Sequence, residues 1–228
     1  MTSQKVEYWV IPPKENGAFV ADMENIIDTY KKPYNSEYPV VCMDEQPIQL
    51  LDDVWQTIPE TTSHPKRVDY EYKRCGTASI FMFTEPLHKW RSVHARVHRT
   101  KWDWSEEVQE LLKLYPDAKK IILVCDNLNT HHCGSFYDRY PAEQAFSICQ
   151  RLDIRHTPKH GSWLNIAECE LSAMTRQCLK NHRYSTLEEL NTALSAWNVH
   201  RNNNEKGVDW QFTTKDARVK LRSLYPQL

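Results

Sequence analysis

A chain of 228 residues with 40% apolar side chains and eight tryptophans can bury a substantial core, and it suits one large α/β domain or a medium domain with extensions. No apolar run approaches the length of a membrane span, and Met1-Thr2-Ser3-Gln4-Lys5-Val6-Glu7 lacks the charged-then-apolar layout of a signal peptide, so a cytoplasmic protein is expected. The net charge of −1 names no partner, and seven cysteines without a C-x-x-C pair, Cys42, Cys125 and Cys149 in apolar runs among them, read as reduced thiols rather than a disulfide framework.

Charge is unevenly spread along the chain. Residues 1–60 hold four Lys/Arg against eleven Asp/Glu, whereas residues 61–228 hold 25 against 19. A DNA-facing surface in the second part and a scatter of solvated charges both fit that asymmetry.

In chain order, Tyr8-Trp9-Val10-Ile11-Pro12-Pro13 is extended by its prolines, and residues 18–30 carry Val20, Met23, Ile26, Ile27 and Tyr30 at helical spacing. A proline-containing linker over 32–38 leads into a core strand, Pro39-Val40-Val41-Cys42-Met43-Asp44. Residues 45–76 give no clear pattern. Strands are predicted over 77–84 and over 90–98, where Val93, Ala95 and Val97 alternate with Ser92, His94 and Arg96. Ser105 is expected to start a helix with Val108, Leu111, Leu112 and Tyr115 on one face, stopped by Pro116. Ile121-Ile122-Leu123-Val124-Cys125 reads as a strand buried on both faces and leads directly into Asp126. A short helix over 142–152, a short strand over 153–156 and a helix over 163–180 follow, the last with Ala167, Leu171, Met174 and Cys178 as its buried stripe. Overlapping capping boxes at Ser185-Thr186-Leu187-Glu188-Glu189 open a helix to about His200, and a final helix is expected over 214–224. The order is that of an α/β fold with parallel and antiparallel pairings mixed.

Three acids stand out by position. Asp44 and Asp126 sit at the carboxyl ends of core strands, where open α/β sheets collect chemistry, and Glu168 lies at the margin of the 163–180 stripe. Carboxylates on separate elements suit a hard divalent metal. Taken singly, each reads first as a solvated strand end or helix surface, and it is the three together in motif context that reverse that reading. Glu170 is the rival helix acid, but it lies about 200° around the helix from Glu168, so only one of the two can face the strand ends.

Cys125-Asp126-Asn127-Leu128-Asn129-Thr130-His131 together with Thr157-Pro158-Lys159-His160-Gly161-Ser162-Trp163-Leu164-Asn165-Ile166-Ala167-Glu168 resembles the catalytic half of bacterial insertion-sequence transposases of the mariner-like, DDE-type superfamily. The likeness runs from about Trp9 to the C-terminus and includes Val41-Cys42-Met43-Asp44-Glu45 and Trp210-Gln211-Phe212-Thr213-Thr214-Lys215-Asp216-Ala217-Arg218. It implies a ribonuclease H-like mixed five-stranded sheet flanked by helices: an N-terminal extension over 1–37, a catalytic domain over 38–182 and a C-terminal helical extension over 183–228. It also implies Asp44, Asp126 and Glu168 as the catalytic, metal-holding triad. Two departures stand out. The 41 residues between Asp126 and Glu168 exceed the spacing of the better-known eukaryotic members, and the helix-turn-helix region that precedes this domain in the family has no counterpart in this sequence.

The implied activity is magnesium-dependent cleavage of phosphodiesters at transposon ends and strand transfer into target DNA, with manganese able to substitute. The implied partners are double-stranded DNA and a second copy of the chain on that DNA, at the nucleoid and without a membrane. In-line phosphodiester chemistry calls for two ions roughly 3.5–4 Å apart, and magnesium prefers carboxylates, waters and phosphate oxygens. Lys159, His160 and Asn165 precede or begin the helix and suit a DNA phosphate, or else cap and pack the loop. Asn127 and Asn129 shape the turn after Asp126 or orient its carboxylate. His131-His132-Cys133 makes a poor zinc site without a distant ligand pair, and Trp163 reads as a core anchor more readily than a base-stacking platform. From another class, a non-catalytic DNA-binding or dimerising fragment would need none of the three acids, and a hydrolase of small phosphoesters is a third reading.

Overall fold

The computed structural model describes residues 16–55, 58–65, 67, 70–204 and 207–226; the extended segment expected at residues 8–13 lies outside them. Helix α1 (Gly17–Lys31) starts where the Asn16 side chain accepts from Phe19 N at 3.1 Å. It buries Phe19, Met23, Ile26, Ile27 and Tyr30 and ends before Pro33, whose ring disfavours helical backbone in the residue ahead of it.

Five strands form one sheet: β1 (Val40–Asp53), β2 (Tyr72–Glu85), β3 (Trp90–Arg96), β4 (Ile121–Cys125) and β5 (Leu152–His156), in the order β3-β2-β1-β4-β5. β1 runs antiparallel to β2, and β2 to β3, while β1, β4 and β5 are parallel. β1 and β2 are longer than the sequence suggests. Beyond Cys42, β1 has no β4 partner, and the open side it leaves is where a strand tolerates Pro47.

Alternation along the strands builds a core on each face. Val40, Cys42, Ile80, Met82, Ile122 and Val124 point to the side of α1, α5 (Ala167–Met174), α6 (Leu187–Asn203) and α7 (Thr214–Lys220). Val41, Met43, Phe81, Phe83, Ile121, Leu123 and Cys125 point to α2 (Lys101–Leu114) and α4 (Ala142–Gln150). A short α3 (Gly134–Tyr137) precedes α4.

Several boundaries differ from the sequence reading. α2 starts at Lys101, not Ser105, because Thr100 and Asp103 form a capping box four residues earlier; Ser105 is buried, with its hydroxyl on Lys101 O at 2.7 Å. β3 stops at Arg96. The helix expected over 163–180 is broken into a 3₁₀ turn (Ser162–Leu164), α5 and a π-helical turn (Thr175–Leu179), although Ala167, Leu171, Met174 and Cys178 are all buried. The last helix likewise divides into α7 and a 3₁₀ turn (Arg222–Leu224).

Edge strand β3 is closed by α6 rather than by another strand. Asn191 accepts from Ala95 N at 2.8 Å and donates to Ala95 O at 3.0 Å, and Asn202 does the same for Arg91 at 3.0 and 2.9 Å. Two side-chain amides thus satisfy backbone groups that would otherwise invite another chain. Among the described residues no helix is long and apolar enough to cross a membrane.

Candidate active site

Strand parity places the first two acids. Asp44 lies two residues past Cys42 and so projects to the α5 face; Asp126 lies two past Val124 and follows the same side as β4 ends. β1 and β4 are hydrogen-bonded neighbours. Glu168, in the first turn of α5, is exposed, and its carboxyl meets Asp44.

Electrostatics record the crowding. Burial pushes the Asp44 carboxyl up to about 7; a backbone hydrogen bond from Glu45 N at 2.8 Å opposes this, and the negative charges of Glu168, Asp126 and Glu45 add to it. Glu168 is also raised, first by burial and then by the charge of Asp126, with its contact to Asp44 working the other way. Glu170 faces away: it is 3% exposed and meets Arg91 Nε at 3.1 Å and Arg201 Nη2 at 3.0 Å.

The other residues singled out in the sequence divide. Asn165 is 1% exposed, with its amide donating to Met43 O at 2.8 Å and to Asp44 Oδ2 at 3.3 Å, so the side chain expected on a phosphate is turned inward onto the site. Its Oδ1 accepts from Ala167 N at 3.2 Å, which ties β1 to the start of α5. Lys159 and His160 are exposed on the loop after β5. That loop turns tightly: His160 has φ 67°, and at Gly161 a Cβ would lie 2.6 Å from the Pro158 ring. Asn127 and Asn129 are exposed, and no hydrogen bond ties either to a carboxylate among the described residues. Trp163 is half-buried and meets Phe212 edge-on at 6.0 Å.

Sequence reasoning passed over Glu45 and assigned His131 no part in the site beyond a poor zinc candidate. His131 is buried, with Nδ1 2.6 Å from Asp126 Oδ1 and Nε2 3.2 Å from Glu45 Oε1. Burial opposes a charged imidazole, but the bonds from Asp126, Cys125 and Glu45 outweigh it and push the ring up to about 11. Nothing local in the sequence pairs residues 45 and 131; parity alone puts Glu45 on the α2 face, opposite to Asp44.

Among the described residues no three His, Cys, Asp or Glu are gathered as a ready-made metal cage. The donor set nevertheless fits a hard divalent cation. It is all oxygen, it comes from three elements, and its mutual repulsion is of the kind a cation relieves.

The sheet order and the helices on both faces, with Asp44 inside β1 just past its last β4 partner rather than at the strand end expected from the sequence, and Asp126 just past the end of β4, define a ribonuclease H-like fold. The family model described as DDE superfamily endonuclease matches residues 39–191, about two-thirds of the sequence, and the chain belongs to that family. Among solved structures it is similar to the Mos1 mariner paired end complex with Mn, at 15% identity and a TM-score of 0.56 over 90% of this chain and 61% of that one. The Mos1 strand transfer complex gives 15% and 0.56 over 87% and 59%. The Mos1 transposase paired-end complex with left transposon end gives 14% and 0.57 over 90% and 62%. The chain thus spans about three-fifths of the Mos1 chain's length, and at such identity the likeness speaks for the fold. No curated protein sequence matches it.

Proposed function

We propose that this chain carries the catalytic domain of a DNA transposase of insertion-sequence type, cleaving phosphodiesters at transposon ends and joining them to target DNA with Mg²⁺ or Mn²⁺. The observation that carries the reading is that Asp44 feels the negative charges of both Glu168 and Asp126, which add to the burial that pushes its carboxyl up to about 7, within a family of endonucleases. When bound, the metal supplies Lewis-acid stabilisation of the attacking and leaving oxygens.

Asp44, Asp126 and Glu168 would hold it, with Asn165 steadying Asp44 through Oδ2. Lys159 and His160, exposed on the loop ahead of α5, would meet backbone phosphates, which position DNA without reading its sequence. Asn127 and Asn129 would shape the turn that presents Asp126. In this division residues 38–182 are the catalytic unit, 1–37 lead into it, and 183–228 brace it. Double-stranded DNA is the partner, two copies act on it, and the setting is the cytoplasm, at the nucleoid.

The test is incubation with labelled terminal-repeat DNA, with and without Mg²⁺. Metal-dependent nicking that Asp126→Asn abolishes is expected. Metal-independent nicking, or equal nicking by Asp126→Asn, would sink the reading.

A further inference from the structure

Away from the three acids, the fold brings two thiols together. Cys133 heads α3, where its side chain makes no capping hydrogen bond, and it is exposed; Cys149 lies half-buried in the last turn of α4. The Cys149 thiol donates to Cys133 O at 3.8 Å. The two side chains meet as well, since the Cys133 thiol adds to the burial that pushes Cys149 up to about 12.

Packing of two helices, rather than the reach of one side chain, sets this contact. Phe136 anchors α3, and Ala145 and Ile148 anchor α4, in the same core on the α2 side of the sheet. The connection between them is tight: Arg139 N and Tyr140 N both donate to Phe136 O, at 3.1 and 2.8 Å, and Ala145 N donates to Pro141 O at 2.9 Å. A preset approach of this kind is what a disulfide requires, because its narrow geometry tolerates little backbone movement. Cys75 and Cys169 are exposed too, but the contact of Cys75 runs to Lys73 O on its own strand, at 3.7 Å, and the charged neighbours of Cys169 are Glu170 and Glu168.

We propose that Cys133 and Cys149 are a modification site, forming a reversible disulfide when the chain meets a peroxide, on the flank of the loop that carries Asp126. The exposed Cys133 thiolate attacks one peroxide oxygen, the O–O bond breaks, and Cys133 becomes a sulfenic acid as hydroxide departs. The Cys149 sulfur then attacks the Cys133 sulfur, and its proton leaves with the displaced hydroxyl as water. In sum, two thiols are oxidised to one S–S bond and one peroxide is reduced to two waters. A thiol reductant reverses the step by exchange. None of this depends on the metal-dependent reading above.

The experiment treats the reduced whole chain with hydrogen peroxide, blocks the remaining thiols with N-ethylmaleimide and maps a tryptic digest by mass spectrometry without reductant. Trypsin cuts after Lys120, Arg139 and Arg151, so the bridge joins peptide 121–139 to peptide 140–151. The joined peptide is expected from monomeric protein before Cys75 or Cys169 is oxidised. It should be absent in Cys133→Ser and in Cys149→Ser, present in Cys75→Ser, and undone by dithiothreitol. The bridged chain should also melt higher, by roughly 5–10 °C, because the cross-link restrains the unfolded chain.

A joined peptide that persists in Cys133→Ser would put the bond on Cys125 and overturn the proposal. So would Cys133 carried on to sulfinic acid while Cys149 is still blocked by maleimide, or a joined peptide found only in disulfide-linked dimers. A bridge that leaves the midpoint unchanged or lowers it overturns the preset contact. Should Cys149→Ser not fold, Cys133→Ser, at an exposed position, decides alone.

Discussion

Glu168 and Glu170 stand two residues apart on one helix and meet opposite surroundings. Glu168 faces Asp44 and Asp126 with like charge around it, and its carboxyl is raised. Glu170 is closed between Arg91 and Arg201 beneath the edge of the sheet. Acids matched with arginine hold this fold together, whereas Asp44 and Glu168 are left with like charges beside them. The same contrast holds on the other face, where Glu107, despite burial, is lowered by His94 and Arg96, while Asp44 is raised.

Four experiments break or sharpen that contrast. The largest effect is expected for Glu168→Gln, which should lower Mg²⁺-dependent cleavage by about three to four orders of magnitude with the fold intact. Residual cleavage within tenfold of the parent, measured on labelled DNA, would put the helix acid elsewhere.

Glu170→Gln should act on stability instead. It removes the buried carboxylate that meets both Arg91 and Arg201, a loss of about 3–5 kcal/mol that urea unfolding would register. A midpoint equal to the parent's would erase the distinction between the two glutamates.

The third effect is a slope with pH. Folding raises the Asp44 carboxyl from its ordinary 3.8 to about 7, so the folded state holds that proton more tightly than the unfolded chain does. The associated stability is fully present below about pH 4 and is lost as pH rises through about 7. Metal-free thermal midpoints should fall over that window more steeply in the parent than in Asp44→Asn. Parallel profiles would mean that Asp44 is not strained.

Smallest is the change at a pair on the surface. Lys101 and Asp138 meet at 2.6 Å with about half of each side chain in solvent, and Lys101→Ala should cost less than about 1 kcal/mol by urea unfolding. A larger loss would show that exposed pairs stabilise this fold as much as the buried Glu170 cluster does.

How much of this was legible depended on range. The stripe Ala167, Leu171, Met174 and Cys178 was readable because helical periodicity is local, and β4 because five consecutive apolar residues bury on both faces. The break between Leu164 and Ala167 was not, since it follows from Asn165 turning in to Met43 and Asp44, more than a hundred residues away in sequence. The far halves of β1 and β2 were hidden for another reason. Pro47 and Gly76 carry loop signals, and Tyr72-Lys73-Arg74-Cys75 is exposed throughout, so neither stretch shows the alternation of a half-buried strand. Glu45 was invisible because its contact, His131 Nε2 at 3.2 Å, comes from 86 residues further along the chain.

Those far halves leave β1 a strand of two characters. From Val40 to Cys42 it pairs with β4, and from Cys42 onward with β2, whereas by Leu50 the only strand beside it is β2, across a register shift opposite Gly76, and its other side is met by Tyr184 O, which accepts from Leu51 N at 2.8 Å. Arg183 pins the outer end, reaching Asp53 at 2.6 Å and Glu71 O at 2.8 Å. Amide hydrogens along this single element should therefore exchange with solvent on separate clocks. Those near Val41 open only with global unfolding, and those near Asp52 open by local fraying whose rate Arg183 governs.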